Sequence, residues 1–230
     1  MVSAIIVAAG SSRRMGFDKL FAQLAGHPVI AHSIAAFQRT PGISEIIIVT
    51  RQDQIPTLRA LATEHAFSKI TQYLPGGPER HLSVWAGLQA VGQGITHIAI
   101  HDAARPLITP PVITQCIDLA RKTNAACVAA PIPDTVKRAD SNNIVTQSID
   151  RTGLWAMQTP QIFSKSLIIS AYEQIIASGD LVTDEVSAVQ RTGAQIALLR
   201  NDESNFKITI PRDLALAEHL LASTGGMGSI

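Results

Sequence analysis

"SAIIVAAGSSRRMGFDK", residues 3–19, joins two stretches of opposite character. Residues 3–9 form an unbroken apolar run, the pattern of a strand buried on both faces of a sheet. The chain then turns polar, passing Gly10 and two serines and setting three cations, Arg13, Arg14 and Lys19, in quick succession. Ligands of open α/β sheets bind outside the carboxyl ends of the strands. A cationic loop at the end of a buried first strand therefore points to an α/β fold with an anion site at that edge.

The pattern downstream agrees. "PVIAHSIAAFQR" (28–39) puts Ile30, Ile34 and Phe37 on one helical face, with Pro28 at the first helical position. "EIIIVT" (45–50) is a second buried strand, followed by a helix around Ile55–His65. "KITQYL" is a third, poorer strand; "GGPER" makes a loop, and Ser83 is placed to cap a helix through "VWAGLQAV". "THIAIHDAARP" (96–106) gives a fourth strand and a polar loop, "PPVITQCIDLARK" a helix, and "AACVAAPI" (125–132) a fifth strand. Strands and helices alternating at these lengths imply βαβ units, right-handed crossovers and a mostly parallel sheet flanked by helices. "AAGSSRR", "GGPER" and "HDAARP" all follow strands, so they converge on one edge.

Regularity stops after Pro133. Thr135–Arg138 and Ile144–Ile149 flank the turn signal "DSNN", which predicts a β-hairpin arm over about 134–152. Two strands alone are marginally stable, so the arm is expected to pack on a second copy and make a homodimer. The chain then returns to the core, with helices in "SLIISAYEQIIASG" and "DEVSAVQRTG", a strand in "QIALLR" and a closing helix in "PRDLALAEHLLAS". The expectation is a single domain over 1–222 carrying the arm, with 223–230 as a loose tail.

Composition narrows the partners. With 46% hydrophobic and 16% charged residues among 230, the chain is globular, and its net charge of +1 offers no general attraction for nucleic acid or an anionic membrane. No stretch approaches the ~20 apolar residues of a bilayer span, and "MVSAIIVAAG" lacks the basic start of a signal peptide, so a cytoplasmic location is expected. Cys116 and Cys127 fall on separate elements without metal-ligand spacing and are expected to be buried small hydrophobes.

The opening loop matches neither GxxxxGK[ST] nor GxGxxG. Gly10 lets the backbone bend around a ligand, and Arg14 and Lys19 are long enough to fold back over phosphates; the alternative is a solvated basic turn. Asp102 ends a buried strand, where a carboxylate needs a partner, either Arg105 or a metal such as Mg²⁺ held with substrate phosphates. His97 and His101 share a strand face without a third ligand and are structural. Lys207 is expected on a short strand before "PRD", with Asp213 paired to Arg212, and Arg151 stands at the base of the arm. Four cations and one aspartate near one edge suit a polyphosphate substrate, because phosphoryl-type transition states are stabilised mainly by charge and position.

Taken together, "AAGSSRRM…K", "GGPERHLSV", "HDAARP", "DTVKR", "DRTGLWAMQTPQIF", "TDEVSAV" and "FKITIPRDLALAE" resemble, in order, the 2-C-methyl-D-erythritol 4-phosphate cytidylyltransferases of the non-mevalonate isoprenoid pathway. The resemblance runs from Val2 to about Leu221. It implies transfer of CMP from CTP to methylerythritol phosphate, with Mg²⁺, in a homodimer interlocked by the arm. By that resemblance Arg14 and Lys19 stabilise the transition state, while Arg151 and Lys207 position the attacking phosphate. Ala8, Ala9, Gly10, Gly77, Ser83 and Ala103 match the nucleotide cradle. Asp102, Arg105, Thr135, Thr159 and Thr183 match positions around the acceptor, with Asp102 also near the metal and Thr135 reaching a neighbour's site.

Two departures stand out: "MGFDK" shortens the loop before Lys19, and Pro78 replaces an acidic residue in a "GGDER"-type motif. The competing readings are a cytidylyltransferase for another alditol phosphate such as ribitol 5-phosphate, a molybdopterin nucleotidyltransferase and a non-catalytic nucleotide-binding protein. An oxidoreductase is disfavoured by the missing GxGxxG.

Overall fold

The computed structural model describes residues 1–10 and 15–223. Arg14 and almost all of the expected tail, 224–230, therefore lie outside the described residues. The elements run β1 (Val2–Val7), β2 (Gln23–Leu24), β3 (His27–Pro28), α1 (Val29–Arg39), β4 (Ile43–Thr50), α2 (Ile55–Glu64), β5 (Ile70–Pro75), α3 (Arg80–Gln89) and β6 (His97–Asp102). They continue as α4 (Pro110–Thr123), β7 (Ala125–Pro131), β8 (Val136–Ala139), β9 (Val145–Ile149), β10 (Trp155–Ser164), α5 (Lys165–Ser178), α6 (Glu185–Gln190), β11 (Ala197–Arg200) and α7 (Pro211–Ser223).

Seven strands form the main sheet in the order β11-β7-β10-β6-β1-β4-β5. The pairs β1–β4, β1–β6, β4–β5 and β7–β11 are parallel, and β10 alone runs against its neighbours β6 and β7. Alternation along each strand feeds two cores, one per face. On one face Ala4 and Ile6 meet Ile30, Ile34 and Phe37 of α1 and Ile113, Cys116 and Ile117 of α4. On the other, Ile5 meets Val84 and Leu88 of α3 and Ile168 and Tyr172 of α5. This is the mostly parallel, helix-flanked α/β architecture expected from the apolar runs. Both cysteines are fully buried, and burial pushes the Cys116 thiol up to about 12.

Three local expectations need correction. β10 is an added strand in the middle of the sheet, where the polar Gln158 and Gln161 and a proline, joined by a cis Thr159–Pro160 bond, obscure its run. Pro28 is the N-cap of α1 rather than its first helical residue. Helix α3 starts at Arg80 behind an extended Glu79, so Ser83 lies inside the helix and does not cap it. The arm forms β8 and β9, which pair antiparallel with each other and sit apart from the main sheet. No helix among the described residues is long and apolar enough to cross a membrane.

Candidate active site

A cavity of about 510 Å³ opens at the carboxyl ends of β1 and β6. Ala8, Ala9, Gly10, Lys19, Gly77, Ser83, Asp102 and Lys207 all line it, so four separate stretches of sequence converge there. The chain leaves β1 with the Ala8 N–H donating to the Val49 carbonyl at 2.7 Å, which fixes the first wall. Gly77 lines another side, with Gly76 just before it packed against Ala9. A Cβ on Gly76 would stand 2.3 Å from that of Ala9, so only glycine lets the two segments approach this closely. Ser83 pins this loop from within α3: its hydroxyl accepts from the Gly77 N–H at 3.1 Å and lies 3.2 Å from the Glu79 carbonyl, as a donor to it.

Asp102 sits at the floor, buried, among cations. Arg80 donates to its Oδ1 from Nη2 at 3.0 Å and from Nε at 3.2 Å, and Lys207 Nζ donates to its Oδ2 at 2.8 Å. Arg105, the local partner that sequence proximity favoured, comes only to 3.9 Å. Burial would raise the Asp102 carboxyl, but Arg80, Lys207 and Arg105 outweigh it and hold it well below the usual carboxylate range. Behind Arg80 stands Glu185, fully buried, taking Nη1 at 2.6 Å and Nη2 at 3.1 Å and accepting the Tyr172 hydroxyl at 3.0 Å. Burial opposes the charge on Arg80, yet the two carboxylates more than restore it and raise its pKa.

A second network fixes the backbone under Asp102. His101 Nε2 faces the Arg105 carbonyl at 3.2 Å, and a carbonyl only accepts, so Nε2 carries the proton and Nδ1 is an acceptor. The Thr159 hydroxyl donates to that Nδ1 at 3.0 Å and accepts the Asp102 N–H at 3.1 Å. Burial pushes His101 down to about 3, which keeps the ring neutral in this role.

Other expected site residues fall outside the cavity. Ala103 is fully buried, its N–H bonded to the Val7 carbonyl and its own carbonyl to the Ser33 hydroxyl. Arg105 turns its Nη1 to the Asn205 carbonyl at 2.8 Å. Thr135 and Arg151 stand exposed at the base of the arm, where Arg151 meets the Pro133 carbonyl. Thr183 borders a separate hollow shared with Gly153 and Trp155. Lys207 is on irregular chain rather than a strand, and the Ile208 N–H holds that segment to the Ala104 carbonyl at 2.8 Å. Asp213 Oδ2 accepts the N–H groups of Thr209 and Ile210 at 2.7 and 3.0 Å, closing the turn into α7 where a pairing with Arg212 was expected. Lys19 Nζ donates to the Ile208 carbonyl at 2.7 Å, which draws the opening loop toward the Lys207 segment.

Among the described residues no group of three or more His, Cys, Asp or Glu is arranged to hold a metal. Asp102 offers one hard oxygen with lone-pair capacity left beside Lys207, while Arg80 occupies the other. Such a donor set fits Mg²⁺ bound mainly by substrate phosphates and does not fit a cage built by the protein alone.

The family model for 2-C-methyl-D-erythritol 4-phosphate cytidylyltransferase matches residues 2–223. The chain belongs to this family. It is 41% identical over 223 residues to the cytidylyltransferase of that name from Caldanaerobacter subterraneus subsp. tengcongensis, covering 96% of this chain and 98% of that protein. The Symbiobacterium thermophilum cytidylyltransferase of the same name is also 41% identical, over 222 residues, with 96% and 92% covered. Among solved structures, 4-diphosphocytidyl-2C-methyl-D-erythritol synthase from Anaerococcus prevotii aligns with a TM-score of 0.85 at 30% identity, covering 96% of each chain.

For a cytidylyltransferase of this family, the members of the Asp102 cluster that sequence reasoning missed are Arg80, Glu185 and Tyr172. Arg80 lies within the quoted "GGPER" and Glu185 within "TDEVSAV". The signal that points to them is the Asp102 carboxylate itself: at the end of a buried strand it requires cations, and Arg80 is the one that follows the glycine pair at the same edge.

Proposed function

We propose that this protein transfers CMP from CTP to 2-C-methyl-D-erythritol 4-phosphate, giving 4-diphosphocytidyl-2-C-methyl-D-erythritol and pyrophosphate, as a cytoplasmic step of isoprenoid biosynthesis. The observation that carries the reading is the convergence of Lys19, Asp102 and Lys207 on one cavity at the parallel-strand ends, in a chain of this family. A phosphate oxygen of the acceptor attacks the α-phosphorus of CTP. One P–O bond forms, the bond to the β-phosphate oxygen breaks, and pyrophosphate departs with the electron pair.

In this reading Lys19 and Arg14 neutralise charge that grows on the transferring phosphoryl group. Lys207 and Arg151 hold the acceptor phosphate in line. Ala8, Ala9, Gly10, Gly77 and Ser83 cradle the nucleotide, with the main chain supplying its contacts. Mg²⁺ would be held mainly by the CTP phosphates, with Oδ2 of Asp102 as the protein's oxygen ligand beside Lys207, and would offset triphosphate charge. The arm joins two copies into a homodimer and carries Thr135 toward the neighbouring site, where it meets the acceptor with Thr183. Residues 1–222 form the single domain that carries this chemistry.

The test is pyrophosphate release by the purified protein with CTP and Mg²⁺, offering methylerythritol phosphate and ribitol 5-phosphate in parallel and GTP as a control. Turnover with CTP and methylerythritol phosphate is expected, and Lys19→Ala should lower it on the order of 10²–10³-fold. Turnover confined to ribitol phosphate would overturn the acceptor assignment. Wild-type turnover in Lys19→Ala would overturn the role of the loop.

A further inference from the structure

Asp102 is shared by two cations that differ in freedom. Arg80 is locked: its guanidinium bonds both oxygens of the fully buried Glu185, at 2.6 and 3.1 Å, and Oδ1 of Asp102, at 3.0 and 3.2 Å. Glu185 is in turn held by the Tyr172 hydroxyl at 3.0 Å, which ties α5 and α6 to the start of α3. Lys207 takes the other oxygen, Oδ2, at 2.8 Å, but its side chain is 38% exposed and faces the cavity. The charges alternate along a line, Glu185, Arg80, Asp102, Lys207, with the anchored end inside the protein and the freer end at the ligand.

An ammonium group has three protons, and Asp102 uses one of them. Whether the others turn to a ligand depends on how strongly Asp102 holds the lysine, and that depends on what else neutralises Asp102. Arg105, at 3.9 Å, is too remote to replace Arg80 in that task. We propose that Arg80 is a positioning residue for the acceptor phosphate: by satisfying Asp102 from the protein side, it leaves the Lys207 ammonium available to a phosphate oxygen in the cavity. This rests on the reading of Lys207 as a ligand of the acceptor phosphate.

The test uses the full chain with the paired substitution Arg80→Met/Glu185→Leu, which removes the guanidinium together with its buried counter-charge, so that no unpaired carboxylate remains at position 185. The KM for methylerythritol phosphate should rise on the order of tenfold, with the KM for CTP held within about threefold. Competitive acetylation of Lys207 by acetic anhydride, read by mass spectrometry without substrate, should slow about threefold or more as Asp102 tightens on the amine. Arg80→Lys keeps a cation between the two carboxylates without the fork that bridges them, and should shift both readouts in the same direction by less.

An unchanged acceptor KM with unchanged Lys207 labelling would overturn the proposal. So would equal rises in both KM values, which mark a merely structural role, or a rise confined to CTP, which would make Arg80 a nucleotide ligand. If the wild-type protein releases no pyrophosphate with this acceptor, the reading of the reaction fails. The labelling comparison then still decides whether Arg80 governs Lys207.

Discussion

Strands β8 and β9 bond to one another and to no strand of the main sheet, whereas Asp102 is gripped by side chains 22 and 105 residues away in sequence. The arm is exposed along nearly its whole length, and its tip carries the apolar Ile144 and Val145 at 63% and 60% exposure. In the Asp102 cluster the two carboxylates are buried and the two cations partly so, and each charge has a named counter-charge. One region is therefore held by side chains from distant parts of the chain, and the other chiefly by the pairing of its two strands with each other. Asp102, Lys207 and Lys19 line one cavity within a single chain, whereas in the proposed function Thr135 and Arg151 take their role from the placement of the arm.

The difference is broken most severely at Glu185. Glu185→Ala leaves the Arg80 guanidinium buried beside a lost carboxylate, and breaking one partner of a buried pair costs about 3–5 kcal/mol. For a chain of this size that lowers Tm by about 10 °C in calorimetry. A Tm within a degree or two of wild type would mean that the cluster carries no structural load, and the contrast with the arm would collapse.

Acid sharpens the same contrast by a smaller amount. His101 is pushed down to about 3 in the fold against an ordinary value of 6.5, with burial as the main cause. Between those values the unfolded chain binds a proton that the native state does not, so stability is lost as pH falls from about 6.5 toward 3, at up to ~1.4 kcal/mol per pH unit. His32, lowered by burial, adds loss of the same sign. Asp102 joins below about pH 4, because its folded carboxyl titrates beneath the unfolded one. Tm measured between pH 7 and pH 5 should fall in the wild type and fall less in His101→Gln. Parallel slopes in the two proteins would show that His101 titrates in the fold as it does in the unfolded chain.

What the sequence made legible was whatever repeats locally. The apolar run of β1, the face of α1 that carries Ile30, Ile34 and Phe37, and the turn in the arm all report their neighbours within a few residues, and each formed where its pattern placed it. Among the described residues, the parts of the polar motifs from Ala8 to Gly10, at Gly77 and at Asp102 meet at one sheet edge, because strand direction carries them there. Long-range pairings left no such trace. Asp102 has an arginine three residues on, yet its close partners come from α3 and from the segment before α7. Strand β10 escaped because Gln158, Pro160 and Gln161 interrupt it, and those side chains serve tertiary bonds: Gln161 reaches Asp184 at 2.9 Å, and Gln158 accepts from Asn201 and Asn205. Ser83 looked like a cap because serine favours that position, but the helix starts three residues earlier, behind the extended Glu79, and the hydroxyl accepts the Gly77 N–H from inside it.

The arm gives the gentlest test. Ile144→Asp replaces an exposed apolar side chain with a charge next to a turn held by Asp140, whose Oδ1 accepts the N–H groups of Asn142 and Ile144 at 2.9 and 3.0 Å. Those backbone bonds survive the substitution, and an exposed position costs the chain itself within about 0.5 kcal/mol. In the proposed homodimer, however, Ile144 is apolar surface covered by the second copy, and a buried aspartate without a partner there disfavours association. Sedimentation at micromolar concentration should find a dimer in the wild type and a shift toward monomer in Ile144→Asp. A wild-type monomer would remove the dimer from the account, and a variant that stays dimeric would move the contact to another surface. The catalytic consequence follows from the same sample. If the arm delivers Thr135 to a neighbour, the monomeric variant loses turnover while its Tm holds, because the Asp102 cluster needs no second chain. A monomer with full turnover would mean that the cluster suffices and that the arm serves assembly alone.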